Sequence, residues 1–492
     1  MVGAVATEST TAPAPAPSAS DSPPERIRTL LILGASGDLT GRLLLPGLGK
    51  LLAQGHIAGL RLVGAGSDDW NDQQWRDRVA GAFKDCPLPG KDEGARQLQL
   101  VQEQTDYRTL DVTAAGALAG LIASLEGPVA VFFALPPAVS QKACEVLQPA
   151  DVPQGTRLVL EKPFGTSLES AKSLNKTLLR LVPEENIHRV DHFLGKATVF
   201  NILGLRFANR LLEPLFNHQH VAKVEVFYDE SLALEGRAHY YDHAGALRDM
   251  IQSHLMQVMA LLALDAPATL GERDLRDRIG STLRAASVDP DYVRSTRRAR
   301  YTAGEIAGRK IPDYTAEPGV DPARGTETLA EIEVSINNER WAGVPFILRS
   351  GKALERPQKE AIVTFKPVNH LPTGFTGEEE PTRLRIGFGP ETLRLEVEVN
   401  GPGDIFTLER TVLEADLYSA DLLPYGEVLE GVLSGDPLLS VRGDIAEDCW
   451  QIVEPVLRAW AANQVPLEEY PAGSQGPVGW ETSRGDAPLG RD

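Results

Sequence analysis

Residues 28–40 read RTLLILGASGDLT, and residues 41–52 continue GRLLLPGLGKLL. This stretch decides the fold of the first half of the chain. The apolar run at 28–33 reads as a short buried strand. The apolar residues of 41–52 recur at helical spacing. A strand, a glycine turn and a helix in immediate succession form the context in which a glycine motif acquires chemical meaning. Gly34 permits the tight turn, and Gly37 lets a pyrophosphate approach the backbone. The helix start supplies unpaired N–H groups and the positive end of a dipole. The spacing is G-x-x-G-D-L and not G-x-G-x-x-G, so the turn taken alone also fits an ordinary strand–helix joint.

A second strand is expected at 60–65, followed by Ser67, Asp68 and Asp69. In a dinucleotide fold this strand end meets the adenosine ribose, where an acid accepts from a 2′-OH and an Arg accommodates a 2′-phosphate. The first Arg after it is Arg76. Asp68 or Asp69 therefore reads either as a ribose acceptor or as the N-cap of the next helix. Residues 127–135, closed by Pro136 and Pro137, and residues 157–160 read as further buried strands. The latter leads into Glu161-Lys162-Pro163-Phe164-Gly165. Ligands of open α/β sheets sit at the carboxyl ends of strands, so Lys162 is either in reach of cofactor or substrate or a solvated cation.

The bulk numbers exclude several classes. A chain of 492 residues suits two or three domains. Its 49 Lys and Arg stand against 68 Asp and Glu, a net charge of −19, which argues against nucleic-acid binding. Cys86, Cys144 and Cys449 form no C-x-x-C pair, so neither a disulfide framework nor a metal site is expected, and reduced thiols fit an intracellular, cytoplasmic protein. No apolar run approaches the ~20 residues of a membrane span. Residues 1–26 are expected to be a disordered tail and 479–492 a C-terminal tail, with 27–185 as a first, nucleotide-cradling domain and 186–478 as a second domain.

The second half carries the mixed polar stretch RVDHFLGKATV at 189–199. Asp191, His192 and Lys196 there read as a solvated turn or as a site in which an imidazole and an ammonium hold an anion. A helix is expected at 200–212 and a half-exposed strand at 221–228, meeting Asp229 and Glu230. From Tyr240 the chain reads YYDHAGALRDMIQSHLMQVMALLAL. Leu247, Met250, Ile251, Leu255 and Val258 recur at helical spacing, with His254 on or beside that stripe. His254 reads as a core histidine or, with Asp249 or Asp191, as half of a buried His–Asp pair able to accept a proton. Residues 344–348 are expected to be a strand ending in a basic loop at 349–352, and the alternating runs 360–365, 384–388 and 393–399 to form a large antiparallel sheet. A helix is expected at 444–460.

Taken in order, GASGDL, ALPP, EKPFG, DHFLGK, LRFAN, GRxxYYD with DMIQSHL, VPFILRSGKAL and YPAGSQGP resemble the glucose-6-phosphate dehydrogenase family over about residues 28–477. The resemblance implies an α/β Rossmann domain plus an α+β domain with a large antiparallel sheet at a homodimer or homotetramer interface. The former would be the dinucleotide-binding unit at 27–185, and the latter the substrate-binding and dimerisation unit at 186–478. It implies oxidation of the C1 hydroxyl of glucose 6-phosphate to a lactone, the first step of the oxidative pentose phosphate pathway, with hydride passing to NADP or NAD. By motif, His254 would be the base and Asp191 its orienting carboxylate. His192 and Lys196 would bind phosphate, Glu230, Asp249 and Lys352 the sugar, and Lys162 would bridge sugar and cofactor. Gly34, Ala35, Ser36, Gly37, Asp38, Leu39, Ser67 and Asp68 would line the cofactor.

Four positions depart from the family pattern. Leu43 stands where a substrate-reaching Lys is usual, Phe193 where a Tyr is usual, and Ser253 for the Asn before the base. Ser67 and Asp68 replace the Arg that favours NADP, so NAD is expected to be accepted at least as well as the family usually allows. Two further readings follow from these departures: a dehydrogenase of another sugar or sugar phosphate, and a non-catalytic regulatory paralogue.

Overall fold

The computed structural model describes residues 26–88, 90–401, 403–417 and 422–480. The expected tails lie largely outside these residues, but Trp480, on the tail side of the expected boundary, is buried. Six strands build the first sheet: β1 Thr29–Leu33, β2 Arg61–Gly66, β3 Asp106–Thr109, β4 Val129–Phe133, β5 Arg157–Glu161 and β6 Ile187–Val190. Their order is β3-β2-β1-β4-β5-β6 and every pair is parallel. All five residues of β1 and all five of β4 are buried, as strands covered by helices on both faces require. The order reverses between β1 and β4, the position where such sheets bind ligands.

The glycine turn sits at that reversal. Gly34 has φ +81°, and a Cβ there would stand 2.2 Å from the Ala134 carbonyl oxygen. A side chain is excluded by both conformation and contact. Thr40 Oγ1 donates to the Gly34 carbonyl at 3.0 Å and ties the turn to the following helix. That helix is not uniform: residues Thr40–Leu44 wind with i→i+5 bonds before Leu45–Ala53 becomes α-helical. Neither Asp68 nor Asp69 caps the next helix, Asp72–Phe83. Asn71 does, its side chain accepting from the Gln74 N–H at 2.9 Å.

The second sheet has ten strands. They are β7 Val221–Asp229, β8 Ala286–Val288, β9 Thr296–Thr302, β12 Leu329–Ile336, β13 Pro345–Gly351, β14 Gln358–Phe365, β15 Arg383–Gly387, β16 Thr392–Asn400, β17 Leu408–Asp416 and β18 Leu467–Pro471. A separate hairpin pairs β10 Gly304–Ile306 with β11 Arg309–Ile311. The main sheet is antiparallel except that β7 runs parallel to β13, and β9 parallel to β18. The parallel pair has a functional result: register sets Asp229 opposite Gly351, so the residues that follow, Glu230 and Lys352, leave the sheet side by side. The expected basic loop at 349–352 is therefore mostly strand. Arg349 is fully buried and its Nε lies 3.1 Å from Asp229 Oδ2.

Two helices differ from the expected spans. The helix expected at 200–212 is Ala197–Phe207. It ends where Asn209 Nδ2 donates to the Gly204 and Leu205 carbonyls at 3.2 and 3.0 Å. The segment that carries His254 breaks at Gly245 (φ 69°, ψ 170°), winds with i→i+5 bonds over Leu247–Leu255, and becomes α-helical over Met256–Ala263. Such winding brings residues five apart, here Asp249 and His254, onto adjacent turns. The helix Pro424–Ser434, late in the chain, packs back on the first sheet's helices through Tyr425, Val428 and Leu429. Among the described residues no helix is long and apolar enough to cross a membrane.

Candidate active site

Asp191 directly follows β6 and is fully buried. One carboxylate oxygen accepts from the Phe193 N–H at 3.0 Å and from His254 Nδ1. The other accepts from Ser253 Oγ at 2.6 Å. Burial alone would raise its pKa, but His254, His192 and Ser253 together hold it below the usual carboxylate range. The anion thus survives in the interior because its acceptor positions are filled. Ser253, one of the departures from the family pattern, still supplies a donor to this carboxylate.

His254 is also buried, with its ring stacked on Phe193 at 4.2 Å and 17° and edge-on to His192 at 4.7 Å and 73°. With Nδ1 committed to Asp191, the proton belongs on that nitrogen and Nε2 is left as the acceptor. Burial, the largest effect, lowers its pKa, while Asp191 opposes it; the net direction is downward. The imidazole is neutral at pH 7 and can take a proton. Phe193 therefore has a defined place without a hydroxyl: it is the plate against which the base stacks.

Beside this pair lies the island of positive charge. Lys196 Nζ sits 4.4 Å from the Phe193 ring centre and 5.4 Å from that of Tyr228. Burial, then the neighbouring Lys359 cation, pull it below the ordinary lysine range. His192, stacked 6.0 Å from Tyr425, is pushed down to about 3 by burial and then by His254. An arriving dianion favours the charged form of both groups, and so opposes the burial that lowers them.

Lys352 Nζ donates to Glu230 Oε2 at 2.8 Å, and Lys359 Nζ stands 3.5 Å from Glu230 Oε1 and 4.7 Å from the Tyr228 ring centre. Lys162, at the end of β5, donates to the Asp249 carbonyl and lies 3.4 Å from Asp249 Oδ1. Tyr240 donates to the same oxygen at 3.1 Å. Burial would raise Asp249, but Lys162, Lys352 and His254 outweigh it and hold the acid at about 2. Glu161, adjacent to Lys162, is pushed up to about 8 by burial and stays protonated at neutral pH.

Every residue expected at the substrate end thus converges: His254, Asp191, His192 and Lys196 from two elements, Glu230 and Lys352 from the parallel strand pair, and Lys162 from the end of β5 against Asp249 on the helical segment Leu247–Leu255. Lys359, Tyr228, Tyr240 and Tyr425 belong to the same neighbourhood and were not singled out in the sequence. At the cofactor end, the backbone of Gly34, Ala35, Ser36 and Gly37 forms the cradle beside the end of β2. A Cβ on Gly66 would lie 3.7 Å from Ser36 Oγ and 3.9 Å from the Ala35 nitrogen. Within this turn the N–H groups of Gly34 and Ala35 donate to the Ala65 carbonyl at 2.8 and 3.1 Å and that of Gly37 to the Gly34 carbonyl at 3.0 Å, so close backbone approach, and not these donors, is what the turn offers a pyrophosphate. Asp38 turns away to an exposed pair with Arg42 at 3.2 Å, Leu39 packs toward the core, and Ser67 and Asp68 are exposed.

Two family models match the chain: glucose-6-phosphate dehydrogenase, NAD binding domain, over residues 31–201, and glucose-6-phosphate dehydrogenase, C-terminal domain, over 203–484. The chain is 36% identical over 463 residues to the glucose-6-phosphate 1-dehydrogenase of Gluconobacter oxydans, covering 91% of this chain and 94% of that one. It is 36% identical over 474 residues to that of Treponema pallidum, covering 91% and 92%. Among solved structures it is similar to glucose-6-phosphate 1-dehydrogenase from Mycobacterium avium, with TM-score 0.80, 31% identity, and 95% and 99% of the two chains covered. It is also similar to a glucose-6-phosphate dehydrogenase in complex with its substrate glucose-6-phosphate, with TM-score 0.82, 27% identity, and 93% and 97% covered.

Proposed function

The chain belongs to the glucose-6-phosphate dehydrogenase family, and from that premise we propose that it oxidises the C1 hydroxyl of glucose 6-phosphate to 6-phosphoglucono-lactone. The observation that carries this reading is the buried His254–Asp191 pair. Asp191 holds the Nδ1 proton and stabilises the imidazolium that forms. His254 Nε2 takes the C1 hydroxyl proton as the C1–O bond becomes a carbonyl. A bound nicotinamide ring supplies the acceptor for the hydride that leaves C1. His192 and Lys196 hold the phosphate, with Lys359 beside them. Glu230, Asp249 and Lys352 orient the sugar hydroxyls, and Lys162 lies between sugar and cofactor. The intact base and carboxylate favour catalysis over a regulatory paralogue. Lys359 provides a cation close to the phosphate site whose tyrosine hydroxyl is missing at Phe193, which favours a phosphorylated hexose over an unphosphorylated one.

The turn at residues 34–37 with Ser67 and Asp68 holds the dinucleotide in this reading, and the coenzyme is NADP or NAD. In this reading a dinucleotide unit precedes a substrate unit near the expected boundary at 185/186, with β6 completing the first sheet just beyond that boundary and the helix Pro424–Ser434 packing back on the first unit. Exposed Val399, Phe406 and Leu413 on and beside β16 and β17 support a homodimer or homotetramer built across this sheet. Three free cysteines, all buried, fit the cytoplasm. Purified protein supplied with glucose 6-phosphate is expected to reduce at least one of the two coenzymes. No reduced nicotinamide with either one refutes the activity.

A further inference from the structure

We propose that Arg78 reads the adenosine 2′-phosphate of NADP, supplying from the second helix the cation that the end of β2 lacks. The assignment rests on the reading above that the glycine turn holds a nicotinamide dinucleotide. Arg78 lies on the helix Asp72–Phe83, yet its guanidinium reaches back to the turn and donates through Nη2 to the Gly37 carbonyl. The guanidinium carbon stands 5.5 Å from the centre of the Trp70 ring, a cation–π contact that fixes its position. Trp70 is itself 5.9 Å from Tyr107, whose hydroxyl donates to the Asp68 carbonyl at 3.1 Å. The ring pair therefore ties Arg78 to the strand end where the ribose is expected.

The sequence leaves room for this cation. A Cβ on Gly41 would stand 2.4 Å from Nη2 and 2.8 Å from Cζ of Arg78, so a side chain at 41 would displace the guanidinium. Among the described residues, the partners of the guanidinium are a carbonyl and a ring, not a carboxylate, and its Nε is buried without an acceptor. A partly buried guanidinium with no counter-charge in a chain of net charge −19 is unusual. It is explained if the counter-charge comes with the ligand. The planar fork of Arg matches a phosphate, and the 2′-hydroxyl of NAD has no comparable partner for it. Exposed Ser67, where the family pattern carries its Arg, leaves this approach open.

The test needs no sugar. Binding of 2′,5′-ADP and of 5′-ADP to the full chain is measured by calorimetry for wild type, Arg78→Gln and Arg78→Lys. Arg78→Gln removes the charge and the reach to Gly37, whereas Arg78→Lys keeps the charge without the planar fork. Wild type is expected to prefer 2′,5′-ADP. In Arg78→Gln that preference falls on the order of 10- to 100-fold, the range of a lost charge-assisted hydrogen bond. Arg78→Lys retains part of it. If both nucleotides weaken equally, or the preference is unchanged, Arg78 only braces the turn and the assignment is overturned alone. If wild type binds neither nucleotide, the cradle reading falls and takes the assignment with it.

Discussion

The two ends of the proposed site are built on different principles. At the substrate end, chemistry is carried by side chains removed from water: Asp191 and His254 are both buried, and each is fixed by neighbours on several sides. At the cofactor end, the proposed binding falls to backbone at a half-buried turn, with Gly34 excluding a side chain and Ser67 and Asp68 open to solvent. A base must hold one tautomer in one orientation, which demands burial and full hydrogen bonding. A cradle for a large anionic cofactor must let the phosphates approach the backbone closely. Substitutions in the His254–Asp191 pair should therefore change rate, and those in the glycine turn should change binding and stability.

The largest effect is expected from Asp191→Asn. The amide leaves the Nδ1 proton of His254 without its carboxylate, and kcat should fall by about 10²–10⁴-fold. The acid limb of kcat in the wild type is expected below the ordinary imidazole range, because burial depresses the imidazole. Since Asp191 raises that pKa, its loss should move the limb to still lower pH; a limb moving upward would break the comparison. Next is Gly34→Ala. A left-handed alanine pressed on the Ala134 carbonyl should lower stability by about 2–5 kcal/mol and weaken both coenzymes together, read by denaturant titration and nucleotide binding. Weakening of one coenzyme only would contradict a backbone cradle. The smallest effect belongs to Lys359→Ala, expected to raise KM for glucose 6-phosphate about tenfold with little change in kcat. An unchanged KM would remove Lys359 from the phosphate site.

What the sequence revealed follows the same division. The β1 strand and its glycine turn were legible because a buried parallel strand is continuously apolar and the turn is local. The His254–Asp191 pair was legible because its residues sit in distinctive polar runs, DHFLGK and DMIQSHL. The parallel pairing of β7 with β13 was not, since strand pairing is set by segments about 120 residues apart in sequence. The i→i+5 winding around His254 also escaped, because over the nine residues Leu247–Leu255 it and an α-helix leave nearly the same apolar pattern. Lys359 looked like one polar residue of an alternating strand. Arg78 looked like a surface cation, and only the folded helix shows that it reaches the turn. Asp68 suggested NAD on residue type alone; the guanidinium across the turn gives the 2′-phosphate of NADP a partner as well.

In the proposed reaction His254 is the proton acceptor. The most direct measurement is kcat and KM of His254→Asn with glucose 6-phosphate and saturating coenzyme. A loss of about 10²–10⁴-fold in kcat with KM nearly preserved is the expected result. A variant that turns over at the wild-type rate would contradict it.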